Sequence, residues 1–314
     1  MRQALKLFFA VAMITVVFIT SCNKDDEPQV KVDGIDVTIP RILLENGKIT
    51  MFISVTDLKG NAIPDLSKAN IMIEAIKDGQ TTLISGYSLY SSTGTPTPIA
   101  AALTMDYSGS MYWDTLSIPA MENAVKTFIS LKGLTDKLEI IKFSNGVHVV
   151  QTFTTDTILL YTAVDSVLTL GGSTAFYASC LEGLVDADNE VANTTGVLPA
   201  VVGFTDGVNN EAPLLPDTVI NLALQLQIPL YTIGYGAFNY IDSATLQMMA
   251  DTTGGRYYYA PDPTDIQQLY QYINGQLTGA MVVGFPWGSK ANATIRVTVI
   301  YQGYKATAEK MIFY

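Results

Sequence analysis

Hydrophobic positions change their period twice along this chain, and the changes divide it into three stretches. Between about residues 97 and 277, apolar runs alternate with amphipathic ones. Ile99 to Met105 is nearly continuous apolar sequence ending at Asp106, which suits a strand buried on both faces. Ser117 and Pro119 read as a helix start, followed by an apolar stripe through Ala120, Ala124, Val125, Phe128 and Leu131. Leu138 to Phe143 is the next strand, and Val147 to Phe153 an edge strand beside it. Helices are expected over Ile158 to Leu168 and Phe176 to Ala192, with Pro199 to Phe204 a third buried strand. Val219 to Leu226, Ser243 to Ala250 and Thr264 to Leu277 (capped by Thr264) read as helices; Leu230 to Gly234 and Arg256 to Ala260 read as strands. Strands alternating with helices imply crossover connections and a mostly parallel sheet covered on both faces.

The flanks follow period two instead. Ile49, Met51, Ile53 and Val55 alternate with Thr50, Phe52 and Ser54, the pattern of a half-buried strand, and Asp57 to Asn61 supplies a turn. Ile295, Val297, Val299 and Tyr301 alternate likewise, and Gln302-Gly303 turns the chain into Lys305 to Phe313. Neither flank alone has enough strands to be stable. The economical expectation is one β-sandwich made from residues 34–96 and 278–314, with a doubly wound α/β domain at 97–277 inserted in it; two separate β appendages are the alternative.

The N-terminus has another character. Arg2 and Lys6 precede the apolar run Leu7 to Ile19, whose thirteen residues span about 20 Å as a helix. The hydrocarbon core is roughly 30 Å thick, so the run reads as an export signal over residues 1–21 rather than a membrane span. Ile19-Thr20-Ser21-Cys22 resembles a bacterial lipobox, which implies lipidation at Cys22. Residues 22–33 then form an acidic tether. Its Asn23-Lys24-Asp25-Asp26-Glu27 resembles the tag with which some Gram-negative bacteria place lipoproteins on the outer face of the outer membrane.

Composition narrows the chemistry. The 314 residues suit roughly two domains, and 48% apolar with 15% charged residues suits packed globular structure. Eighteen basic against 29 acidic side chains give a formal charge of −11. Loss of Arg2 and Lys6 with the signal leaves 16 against 29, or −13. Such a surface is a poor counterion for phosphate, which argues against a nucleic-acid partner. One His and two Cys exclude a disulfide framework and most zinc sites. A Ser-His-Asp triad would have only His148 as its base. His148, on the expected edge strand, and Cys180, mid-helix, read as structural. Asp-Ser/Thr-apolar steps at Asp114, Asp156, Asp165, Asp217 and Asp242 resemble bacterial O-glycosylation acceptors and read equally as helix caps.

What remains is an oxygen-only cluster. Asp106-Tyr107-Ser108-Gly109-Ser110 ends the first buried strand, Gly171-Gly172-Ser173-Thr174 precedes a helix, and Thr205-Asp206-Gly207 ends another buried strand. In a doubly wound sheet, loops beyond the carboxyl ends of the strands converge on one crevice. Asp106, Ser108, Ser110, Thr174 and Asp206 are therefore expected together. Two carboxylates and three hydroxyls without a nitrogen or sulfur ligand suit a hard cation.

The D-x-S-x-S, G-G-x-T and T-D-G motifs, in this order, resemble the von Willebrand factor A (vWA) domain and its metal-ion-dependent adhesion site. The resemblance covers about residues 97 to 277. It implies hydroxyl ligands at Ser108, Ser110 and Thr174, with Asp106 and Asp206 acting directly or through water. Ser173 departs from the pattern where many relatives have a third glycine. The implied ion is Mg²⁺, with Mn²⁺ or Ca²⁺ as alternatives. A vacant coordination position would take an acidic group of a protein or other macromolecular partner. Tyr107, Met111, Tyr112 and Trp113, in the same loop, are candidate contact residues, as aromatic anchors beside a polar centre are at interfaces. The function implied is non-enzymatic binding or adhesion at the cell surface; a scaffold in an envelope complex is the alternative. A metal-assisted hydrolase lacks a general base outside the metal set.

Overall fold

The structure, a computed structural model, describes residues 31–312 except positions 64, 91–96, 114, 168–170, 193, 195, 212, 237–240 and 291. The signal, Cys22 and most of the acidic tether lie outside the described residues, as does Asp114. From Val32 onward the chain forms one compact unit.

Five strands come first: β1 (Ile35–Glu45), β2 (Lys48–Asp57), β3 (Ile71–Lys77), β4 (Gln80–Leu83) and β5 (Ser88–Tyr90). The alternating part follows as β6 (Ile99–Asp106), α1 (Ser117–Leu131), β7 (Lys137–Phe143), β8 (Val147–Thr154), α2 (Thr157–Asp165) and α3 (Phe176–Val191). It continues as β9 (Leu198–Thr205), α4 (Pro216–Leu226), β10 (Leu230–Tyr235), α5 (Ser243–Thr253), β11 (Tyr257–Ala260) and α6 (Pro263–Thr278). Then come β12 (Met281–Pro286), β13 (Ala293–Tyr301) and β14 (Tyr304–Ile312).

The central sheet has the order β11-β10-β9-β6-β7-β8 and is parallel except for β8. Every residue of β6 and β9 is buried, as a strand covered on both faces requires. Phe128 of α1, Leu160 of α2 and Ile273 of α6 pack on one face. Leu184 of α3, Ile220 of α4 and Met249 of α5 pack on the other. Successive strands run outward from β6 in both directions, so the loops after β6 and β9 part and leave a crevice between them.

The remaining strands form two antiparallel four-stranded sheets, β1-β2-β12-β5 and β14-β13-β3-β4. Each mixes strands from before and after the α/β segment. Their facing sides share one core that includes Met51, Ile53, Ile73, Phe285 and Val297.

Three expectations need correction. β2 is not half-buried: Phe52 and Ser54, on its supposed outer face, are each 2% exposed. That face meets α6, and Phe52 joins the core of the α/β segment. Close approach there depends on glycine, since a Cβ on Gly275 of α6 would lie 1.9 Å from the carbonyl oxygen of Gly60. The cap of α6 is Asp262 rather than Thr264; its carboxylate accepts the Thr264 N–H at 2.9 Å. Finally, α2 stops at Asp165, three residues before the expected end.

Of the Asp-Ser/Thr steps, Asp156 and Asp242 are side-chain caps of α2 and α5, whereas Asp165 and Asp217 lie within helices.

The β-sandwich is fastened to the α/β segment at the amino ends of β10 and β11. Arg256 reaches Asp36 through Nε at 3.1 Å and a terminal nitrogen at 2.5 Å. Lys310 Nζ donates to the carbonyls of Pro40 at 2.7 Å and Thr253 at 2.8 Å.

Candidate metal centre

Three loops meet at the carboxyl end of the central sheet, and their backbones hold one another. Gly109 N–H donates to Gly172 O at 3.0 Å, and Asn210 N–H to Thr174 O at 3.1 Å. Gly171 and Gly172 have φ of 144° and 96°, values that disfavour any residue with a Cβ. Side chains complete the brace. Asn210 Oδ1 accepts the Thr174 N–H at 2.6 Å, and Asn209 Oδ1 accepts the Tyr177 N–H at 3.0 Å. Ser173 Oγ donates to Glu211.

Inside this frame the five oxygen-bearing residues come close together. Asp106 is fully buried at the end of β6. Its Oδ1 accepts the Ser108 N–H at 2.7 Å and its Oδ2 accepts the Thr205 hydroxyl at 2.7 Å. Ser110 Oγ donates to Asp206 Oδ1 at 2.7 Å and lies 3.2 Å from Ser108 Oγ. Ser110 Oγ and Thr174 Oγ1 are each 4.0 Å from where a Cβ on Gly207 would stand, so both hydroxyls border one small space.

The electrostatics of that space are unfavourable as the chain alone supplies them. Burial, and after it the Asp206 charge, push the Asp106 carboxyl up to about 7 against the opposing pull of Ser108 and Thr205. No ion pair to Asp106 occurs among the described residues. Neither does any group of three or more His, Cys, Asp and Glu side chains fit to hold a metal. Two carboxylates with three hydroxyls form a different donor set, one that fits a small hard cation in its charge deficit and its chemistry.

The loop candidates divide. Tyr107 is 4% exposed, with its hydroxyl donating to Glu122 Oε1 at 2.7 Å and its ring 4.8 Å from Lys142 Nζ. Met111 is wholly buried in the core under α1. Neither can meet a partner. A 3-10 turn over Gly109–Tyr112 aims Met111 inward, and its exit leaves Tyr112 50% and Trp113 82% exposed. Trp113 edges a cavity of about 680 Å³ that also holds Ser110, Thr174, Asp206, Val208 and Tyr235.

Elsewhere, His148 is exposed on β8, opposite Lys142 in register. Cys180 is buried in α3, where burial pushes its thiol up to about 12, well away from reactive behaviour. Tyr257 and Tyr259 donate their hydroxyls at 2.8 Å to Ser243 and to the Gly236 carbonyl. The sequence reading missed Thr205, Asn209, Asn210 and Glu211 as supports of the site. The available signal was the polar run Asn209-Asn210-Glu211, one residue beyond the T-D-G motif.

No protein-family model and no curated protein matches the chain. Solved structures do. The chain is similar to a von Willebrand factor type A protein from Catenulispora acidiphila, at 12% identity and a TM-score of 0.52, over 88% of this chain and 72% of that one. It is also similar to proximal thread matrix protein 1 from the mussel byssus, at 16% identity and a TM-score of 0.50. That match covers 64% of this chain and spans half the length of the mussel chain. At such identities the likeness is one of fold. The chain has a vWA-like fold, an α/β sheet with antiparallel sheets beside it.

Proposed function

We propose that this chain is a non-enzymatic surface protein, anchored in the Gram-negative outer membrane by a lipid on Cys22, that binds a macromolecular ligand through a divalent cation. Asp106, Ser108, Ser110, Thr174 and Asp206 would hold the cation, Mg²⁺ by preference. The observation that carries the reading is the pairing of buried Asp106 with Asp206, beside converging hydroxyls and without an ion pair to Asp106 among the described residues. When bound, the cation supplies an electrophilic centre able to accept a carboxylate from a partner. The chain's part is to fix the donors: Thr205 and the Ser108 N–H orient Asp106, Ser110 orients Asp206, and Asn210 holds the Thr174 loop.

A binding role is in keeping with a matrix protein among the fold neighbours. Hydrolysis fits less well, because Asp106 and Asp206 both belong to the metal set and His148 lies on the edge strand β8. No helix among the described residues is long and apolar enough to cross a membrane. Isothermal titration with Mg²⁺ and Mn²⁺ tests the centre: saturable binding is expected in the wild type and none in Asp206→Ala. Cys22→Ser should release the protein from the membrane fraction. A variant that stays there sinks the anchor.

A further inference from the structure

The cavity at the candidate metal centre is much larger than one carboxylate requires. Of its roughly 680 Å³, the polar wall carries Ser110, Thr174 and Asp206. The same cavity has an apolar lining. Trp113 comes from the turn after β6 and Val208 from the loop after β9, 82% and 50% exposed, and Tyr235, at 5% exposure, also lines it. An indole left this open beside a polar centre is apolar area that a partner can remove from water.

We propose that Trp113 and Val208 form an apolar subsite that receives the side chain next to the partner's metal-seeking carboxylate. This rests on the reading of the metal centre above and names the partner's chemistry. The partner is a protein segment in which one acidic residue adjoins a bulky apolar residue, on a surface otherwise neutral or basic. Charge decides that last point. Among the described residues no Lys or Arg lines the cavity, Glu211 accepts from Ser173 in the adjoining loop, and the chain as a whole carries −11. One carboxylate can be compensated by one cation, whereas the recurring carboxylates of an acidic polysaccharide meet repulsion at every further unit.

The experiment uses the full chain and short Lys/Ser/Gly peptides bearing a central Asp-Phe, Asp-Ser or Asn-Phe pair, with polygalacturonate as a competing class. Binding is followed by tryptophan emission, in Mg²⁺ and in EDTA. In Mg²⁺ the Asp-Phe peptide is expected to bind about tenfold more tightly than the Asp-Ser peptide, and the Asn-Phe peptide not at all. Trp113→Ala and Val208→Ser, followed by calorimetry, should erase the tenfold preference yet keep the rise in melting temperature that Mg²⁺ gives. If the wild type shows that rise but no Asp-Phe preference, or prefers polygalacturonate, the subsite is wrong and the metal centre stands. If Mg²⁺ gives the wild type no rise, the metal reading fails and the subsite falls with it.

Discussion

A buried charged group stands at each end of the central sheet, Lys310 of β14 at one and Asp106 of β6 at the other, and the chain treats the two differently. At the amino end Lys310 is 8% exposed, and burial, with Arg41 adding to it, lowers its amine to about 7. At the carboxyl end burial and Asp206 raise the Asp106 carboxyl to the same value. Both groups are pushed toward neutrality, yet only one is provided for. Lys310 has backbone carbonyls from β1 and from the end of α5, acceptors that serve an ammonium or an amine. Asp106 has two good donors but also a second carboxylate against it. Lys310 is thus a fastener complete within the fold, whereas Asp106 belongs to the site proposed above to hold a cation. Burial of charge does not distinguish structure from function, and neither does a like-charged neighbour, since Arg41 and Asp206 play that part alike; the cavity that opens beside Asp206, against the two carbonyls that receive the Lys310 amine, does.

The largest effect that would break this comparison is at Lys310. Its amine titrates near 7 in the folded chain and at 10.5 ordinarily. Between those values the unfolded chain binds the extra proton, so stability rises with pH across that window. The integrated gain is ~4 kcal/mol. Lys310→Met should flatten the rise, although it leaves two carbonyls short of a donor. Urea denaturation from neutral pH to pH 10 measures it, and parallel profiles for wild type and variant would refute the assignment.

Next in size is the response of the other end to metal. A divalent ion that binds only the folded chain at one hundred times its dissociation constant adds about 2.7 kcal/mol. For a chain of this size that is a rise of roughly 5–10 °C in melting temperature. Asp206→Ala should abolish the rise and Lys310→Met should retain it. Calorimetry in Mg²⁺, Mn²⁺ and EDTA separates the two ends; a rise surviving in Asp206→Ala would place the ion elsewhere.

The same contrast explains what the sequence made legible. β6 and β9 could be read because a parallel strand covered on both faces must be apolar throughout. The convergence of Asp106, Ser108, Ser110, Thr174 and Asp206 could be read because these residues cluster in three short motifs, each at a strand end or helix start. Supports that work across loops could not: Thr205 becomes a partner of Asp106 only because β9 lies beside β6. The second buried face of β2 was hidden for a similar reason. Alternation reports one apolar face, and only Phe52 in the polar phase hinted that α6 covers the other. Tyr107 and Met111 were indistinguishable from Tyr112 and Trp113 until the 3-10 turn fixed which way each points.

A smaller effect isolates the support that the motifs did not reveal. Thr205→Val keeps the shape of a fully buried side chain but removes the hydroxyl that donates to Asp106 Oδ2 at 2.7 Å. A hydrogen bond to a charged acceptor contributes ~2 kcal/mol, and loss of the donor leaves a buried carboxylate oxygen unpaired. Denaturant titration above neutral pH, where Asp106 is ionised, should show that loss. At pH 5 the loss should shrink, because the protonated carboxyl depends less on the donor. An equal loss at both values would mean that Thr205 contributes packing and its bonds to Gly207 rather than support of Asp106.

The smallest expected change is the one that separates exposure from fold support most cleanly. Trp113 follows a turn whose Met111 is wholly buried, yet its own side chain is 82% exposed. Truncating an exposed side chain that fills no core changes stability by within about 0.5 kcal/mol. Trp113→Ala should therefore melt like the wild type, with and without Mg²⁺, in parallel calorimetric scans. If it melts several degrees lower, the indole is packing against the loops and bracing them. The apolar margin of the metal centre would then belong to the architecture, as Lys310 does, and not to recognition.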